Sequence, residues 1–122
     1  MMETLERTAH ARATRLEISA IVQSLQEALG QRLTAVVAGV VDAKAVGKWA
    51  KGAREPHPDT EARLRNAFQV AQLLLERESP ETLRAWFIGM NPELDDRAPA
   101  LLIGQEPQRV LLAARAFLAG DA

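Results

Sequence analysis

The sequence contains no cysteine and few aromatic residues, and each scarcity excludes a class of structure. Without cysteine, disulfide bonds and thiolate metal sites are excluded. Aromatic residues make up only 4% of the chain, and its apolar residues are mainly Leu, Ala and Val, which suit helix-on-helix packing better than a sheet. No apolar run approaches the ~20 residues of a membrane helix, and nothing resembles a secretory signal. We therefore expect a soluble, cytoplasmic protein with no membrane partner.

What the chain does contain is ample apolar material for a core. Hydrophobic residues form 48% of the 122 residues, enough for one domain or for two very small helical subdomains that share a core. Apolar residues recur at steps of three and four, which is typical of amphipathic helices, and no strand pattern is present. The sequence therefore predicts an all-α fold, a small bundle of five to seven helices. The first clear helix is Ile18–Leu29, preceded by a tail or frayed helix over residues 1–15.

A helix–turn–helix pattern lies in the middle of the chain. Residues 33–56 read LTAVVAGVVDAKAVGKWAKGAREP, a short apolar segment, a turn at Gly39 and a second short helix that Asp42 would cap. In that second helix Val46 and Trp49 share the inward face. The opposite face carries bases at steps of four and three. Units of this size place their second helix in the DNA major groove.

Charge is distributed unevenly, although the net charge is only −1. Residues 44–54 contain four bases and no acid, whereas residues 78–106 contain six acids and two bases. The basic segment could face phosphate, and small residues beside the lysines would let it approach base edges closely. The alternative is an ordinary solvated face of a structural helical hairpin. We favour DNA binding, with these candidate contacts: Lys44, Ala45, Lys48, Lys51 and Arg54.

Residues for catalysis or metal binding are poorly placed. His10 and His57 have no second ligand at metal spacing, and no Gly-rich phosphate loop is present. Asp95 and Asp96 are adjacent, so their side chains would diverge instead of sharing a proton or a metal. We therefore expect no enzymatic activity, no metal and no cofactor.

A second apolar cluster lies in the carboxy-terminal part, where many chain breaks make a poor independent core. Core packing accounts for most of it, but partly exposed aromatic and Met groups would suit contact with another protein. Its members are Trp86, Phe87, Met90, Leu94, Leu101, Leu102 and Ile103.

The chain resembles the Xre/MbcA/ParS-type antitoxins, which join an Xre-like helix–turn–helix to a toxin-binding domain. The resemblance covers the central pattern above and residues 83–120, LRAWFIGMNPELDDRAPALLIGQEPQRVLLAARAFLAG. The more specific half is the carboxy-terminal pattern of Trp86, Asn91-Pro92, Leu94, Arg97 and Pro99. The polar residues 1–15 are interpreted as a flexible tail, and the resemblance implies a DNA-binding region over 16–76 and a compact helical toxin-binding region over 77–122.

The resemblance implies a type II antitoxin that neutralises a RES-domain, NAD-consuming toxin and represses its own operon. We expect a homodimer on operator DNA, because specificity requires two subunits on half-sites about one helical turn apart. The toxin-binding residues that it implies are Trp86, Met90, Asn91, Arg97, Val110 and Ala122. One departure is that Gly39 lies one residue further from Trp49 than the turn glycine of typical Xre sequences. Two alternatives stay open: a stand-alone transcriptional regulator, and a toxin-binding antitoxin that no longer binds DNA.

Overall fold

The apolar periodicity of the sequence produces a bundle of seven α-helices and one 3₁₀ turn within the part of the chain that the structure describes. The structure is a computed structural model that describes the backbone of residues 2–120 and the side chains of residues 2–5 and 17–120. The helices are α1 Met2–Leu29, α2 Gln31–Ala38, α3 Lys44–Ala50, α4 Pro58–Leu75, α5 Pro80–Ile88, α6 Pro99–Leu102 and α7 Pro107–Leu118, with the 3₁₀ turn Pro92–Leu94 between α5 and α6. The predicted all-α class is confirmed. No helix among the described residues is long and apolar enough to cross a membrane.

A single hydrophobic core joins the central and carboxy-terminal parts of the chain. Helix α4 is the shared wall, because it packs against α1, α2, α5 and α7. Its Leu64, Ala67 and Leu74 are fully buried, as the apolar stripe predicts. Side chains from both parts contribute to this core: Ile18, Val22, Leu25, Val37, Val46, Phe87, Leu94, Ile103 and Val110. The carboxy-terminal helices are therefore built into the bundle, while the division of the chain at residues 15 and 76 stays a prediction.

The first helix begins much earlier than predicted, at Met2 instead of Ile18. Periodicity located only the part that packs in the core, which starts at Ile18. The preceding residues have weak apolar spacing, but Ala, Leu, Glu and Arg are common among them, and these residues have high helix propensity. Propensity thus continues the helix where burial does not require it. Met2 and Leu5 are exposed.

The starts of α4 and α5 each carry a proline directly after the capping residue. Helix α4 begins at Pro58 with His57 in the capping position, so Asp59 lies in the first turn and is not the cap. Proline is favoured there because its missing N–H would have no partner inside the helix. In α5 the capping residue is Ser79, whose hydroxyl accepts a hydrogen bond from the Thr82 N–H, and Pro80 follows it.

Candidate DNA-binding and partner-binding surfaces

Helix α3 has one buried face and one basic, exposed face. Val46 and Trp49 are 0% and 4% exposed and pack in the core, as their spacing predicts. Lys44, Lys48 and Lys51 are exposed and form no ion pair within the described residues. Their charges are therefore available to an anionic partner such as the DNA backbone.

The turn before α3 uses backbone geometry and one carboxylate. Gly39 ends α2 in the left-handed region, with φ 75°, and its N–H donates to the carbonyl groups of the last turn of α2. The Asp42 carboxylate accepts a hydrogen bond of 2.9 Å from the Lys44 N–H. The formal capping residue is Ala43, one position later than predicted, yet Asp42 supplies the bond expected of a cap.

The end of α3 is held by two side chains of α1. The Ser19 hydroxyl and the Gln23 side-chain amide both donate to the Ala50 carbonyl, each at 2.7 Å. A carbonyl in the last turn of a helix has no partner inside the helix, so these bonds satisfy it and fix α3 against α1. This role cannot be predicted from the sequence, because Ser19 and Gln23 look like ordinary members of an amphipathic helix.

We expect Ser19→Ala to lower the free energy of unfolding by about 1 kcal/mol, because it removes a buried donor while Gln23 still satisfies the carbonyl. Thermal or urea unfolding measures the change. The matched control is Ser24→Ala, an exposed serine on the same helix, which should change stability little. Equal stability of Ser19→Ala and Ser24→Ala would contradict the assigned role.

The other two predicted DNA contacts differ from each other. Arg54 is exposed, beyond the end of α3, and forms no ion pair within the described residues. Ala45 is only 8% exposed and belongs to the core, so its methyl group has almost no surface to present to a base edge. Val41, in the turn before α3, is fully exposed and was not singled out from the sequence. The basic surface is therefore Lys44, Lys48, Lys51 and Arg54, with Val41 beside its start.

The predicted toxin-binding residues fall into two groups. Met90 is 82% exposed and the side chain of Arg97 is 47% exposed, so both can meet a partner. Trp86, Asn91 and Val110 are 8%, 5% and 0% exposed and have structural positions. A resemblance to a family does not separate residues that form the fold from residues that make contact. Ala122 lies outside the described residues.

The three buried residues show what the pattern encodes. Trp86 packs edge-on against Phe87, with 5.3 Å between ring centroids. The Asn91 carboxamide accepts a bond from the Glu93 N–H, and its backbone pairs with Arg97 in an isolated bridge. Val110 is fully buried on α7. The pattern therefore describes a folded loop and its packing.

Exposed apolar side chains occur on α5, α6 and α7 and in the segment after α5. Of these, Met90 and Leu101 belong to the cluster identified from the sequence. The other two were missed, because each sits in a helix whose neighbouring apolar residues are buried. The set is Ile88, Met90, Leu101 and Leu112, each between 61% and 82% exposed. These four residues are called the apolar surface below.

A scan of protein-family models and searches of curated proteins and of solved structures found no match to this chain. Among the described residues, no group of three or more His, Asp or Glu side chains could hold a metal ion.

The loop between α5 and α6 is held by an ion-pair network. Arg109 on α7 donates to Asp95 at 2.8 Å and to Glu106 at 3.3 Å, and Arg97 lies 3.6 Å from Asp95 and 3.3 Å from Glu106. Asp95 and Asp96 both have positive φ, 56° and 64°, a conformation that is uncommon outside glycine. Such strain persists only where the surroundings enforce it. The network therefore connects this loop to the start of α7.

The hydrogen bond from Arg109 holds the pKa of the Asp95 carboxyl below its ordinary value of 3.8. A carboxyl with a lowered pKa in the folded state adds stability above its ordinary pKa and loses that contribution as the pH falls through the lowered value. We expect Asp95→Asn to lose less stability on acidification than the wild type. The measurement is the unfolding temperature from about pH 6 down to about pH 2.

The control for this experiment is Asp96→Asn, because Asp96 has the same backbone conformation but forms no ion pair within the described residues. It should retain the acid dependence of the wild type. Identical pH profiles for Asp95→Asn and the wild type would contradict the role of the ion pair.

Proposed function

We propose that this protein is a type II antitoxin that binds operator DNA through α3, binds and neutralises a RES-domain toxin through its carboxy-terminal region, and represses its own operon. It acts in the cytoplasm as a homodimer and has no enzymatic activity of its own. The observation that carries the proposal is that α3 has two different faces: Trp49 is buried on one, and the lysines on the other are exposed and form no ion pair with any residue that the structure describes.

The proposal of DNA binding is supported by the contacts that hold α3 in the fold. Helices α1 and α2 pack against it on its buried side, and its two ends are fixed by Asp42 and by Ser19 with Gln23. A short helix held at both ends keeps its exposed face rigid, which is what recognition of base edges requires. Four cations per subunit give only weak, salt-sensitive binding, so specificity needs two subunits on half-sites about one helical turn apart.

The partner-binding part is supported by the apolar surface. Large apolar side chains are exposed on α5, α6 and α7, although the same helices bury many others in the core. Where exposed apolar groups adjoin one another on a folded domain, they often mark a protein interface. That the partner is a RES-domain toxin follows from the resemblance to Xre/MbcA/ParS-type antitoxins.

The test has two arms, one with the purified wild-type chain and one in cells. The first measures binding to the DNA upstream of its gene at increasing salt; we expect affinity to fall steeply as salt rises. The second expresses the chain together with a RES-domain toxin and follows cell growth and NAD, which we expect it to restore. Restoration without DNA binding would indicate an antitoxin that no longer binds DNA, and DNA binding without restoration would indicate a stand-alone regulator.

A further inference from the structure

The guanidinium group of Arg63, on α4, lies in a space that side chains at positions 39 and 104 would fill. Both positions are glycines, and this space is called the slot of Arg63. A Cβ atom added to Gly104 would lie 2.2 Å from Cζ, 2.5 Å from Nη1 and 2.6 Å from Nε of Arg63. A Cβ atom added to Gly39 would lie 3.0 to 3.2 Å from the same three atoms. Any side chain at Gly104 would therefore displace the guanidinium group.

The distances also give the orientation of the guanidinium. At each glycine the three distances are nearly equal, so the added atom would lie over the flat face of the group and not at its edge. Arg63 donates no hydrogen bond to any other group in the described part of the chain. The guanidinium therefore lies against the two glycines, and it forms no ion pair within the described residues.

The two glycines belong to the two halves of the proposed function. Gly39 is the left-handed residue that ends α2 and begins the turn to α3. Gly104 follows α6, which itself packs against α2 and α5. The Arg63 side chain thus lies against both the turn that leads into the basic helix α3 and the segment that follows α6.

We propose that Arg63 is a positioning residue that holds the α2–α3 turn against the segment after α6, so that the orientation of α3 depends on the carboxy-terminal region. The inference rests on the proposed function, because its main effect is on DNA binding. Arg63 acts through the turn and does not itself contact DNA.

The test compares Gly104→Ala, Arg63→Ala and the double variant. The φ of Gly104 is ordinary, so alanine fits the backbone there and its methyl group expels the guanidinium without removing its charge. We expect each single variant to bind the DNA upstream of the gene about fivefold more weakly than the wild type, and the double variant to be no weaker than either. Arg77→Ala, which removes an exposed charge beyond the end of α4, is the control for lost charge.

Two results of the affinity measurements would overturn the proposal. One is wild-type affinity for Gly104→Ala; the other is additive losses in the double variant. The salt dependence separates positioning from direct contact: if Arg63 bound a phosphate, Arg63→Ala would reduce the slope of log K against log salt by about 1, and Gly104→Ala would not. We expect the slopes for Arg63→Ala and Gly104→Ala to equal those for the wild type and for Arg77→Ala.

Amide hydrogen exchange tests the same inference without DNA. In Gly104→Ala we expect faster exchange of the Val40 N–H, which bonds to the Ala35 carbonyl in the turn, and unchanged exchange in the core of α1. Unchanged exchange at the turn would contradict the inference. If the wild type binds no DNA but exchange at the turn responds, the proposed function fails while the mechanical link between the two segments stands.

Discussion

Replacing Lys48 by Glu is expected to weaken binding to the DNA upstream of the gene by about 100-fold, the largest effect of any single substitution on the basic surface. Lys48 lies in the middle of the exposed face of α3, between Lys44 and Lys51. Reversing its charge removes a favourable contact and adds repulsion from phosphate. A cost of about 1.4 kcal/mol per subunit, felt by both subunits of a dimer, gives this factor.

The experiment is a titration of labelled promoter DNA at two salt concentrations. Raising salt should shrink the difference between Lys48→Glu and the wild type, because exposed charges are screened. Arg77→Glu is the matched control, since it reverses an exposed charge that is not on α3. Lys48 is exposed, so its variant should unfold at the wild-type temperature. Undiminished affinity of Lys48→Glu would refute DNA binding through α3.

The faces of α3 could be predicted from the sequence because helical spacing alone separates Val46 and Trp49 from the lysines. Ala45 shows the limit of that argument. Spacing put it beside the lysines, but α3 packs against both α1 and α2, and so its buried face is wide enough to include residue 45. The width of a buried face depends on neighbouring helices, which periodicity does not reveal.

The carboxy-terminal region was harder to predict because its elements are short. Helix α6 has four residues and the 3₁₀ turn has three, too few for a period to be recognised. Its shape comes from contacts between distant positions, such as Arg109 with Asp95 and the slot of Arg63 beside Gly104. A resemblance to a family indicates such positions without showing whether they form the fold or contact a partner. For that reason Asn91 and Val110 are predicted partner contacts, although both are buried.

Placing an aspartate at Met90 is expected to abolish the complex with a RES-domain toxin, a loss of about 100-fold or more in affinity. Met90 is 82% exposed and follows α5 beside the strained loop, so it has a fixed place on the apolar surface. A carboxylate buried there by a partner would be desolvated without a counterion, which costs several kcal/mol. Binding can be measured by co-purification and by calorimetry.

A point substitution tests this surface better than deleting residues 91–122. The deletion would remove Leu94, Ile103 and Val110, which are fully buried in the shared core, so loss of binding would only report unfolding. Met90→Asp leaves that core intact and should retain the wild-type unfolding temperature. Leu5→Asp, at an exposed leucine near the start of α1, is the control and should leave the complex unchanged. If Met90→Asp bound the toxin as tightly as Leu5→Asp, the partner would have to dock elsewhere, and the apolar surface would lose its assigned role.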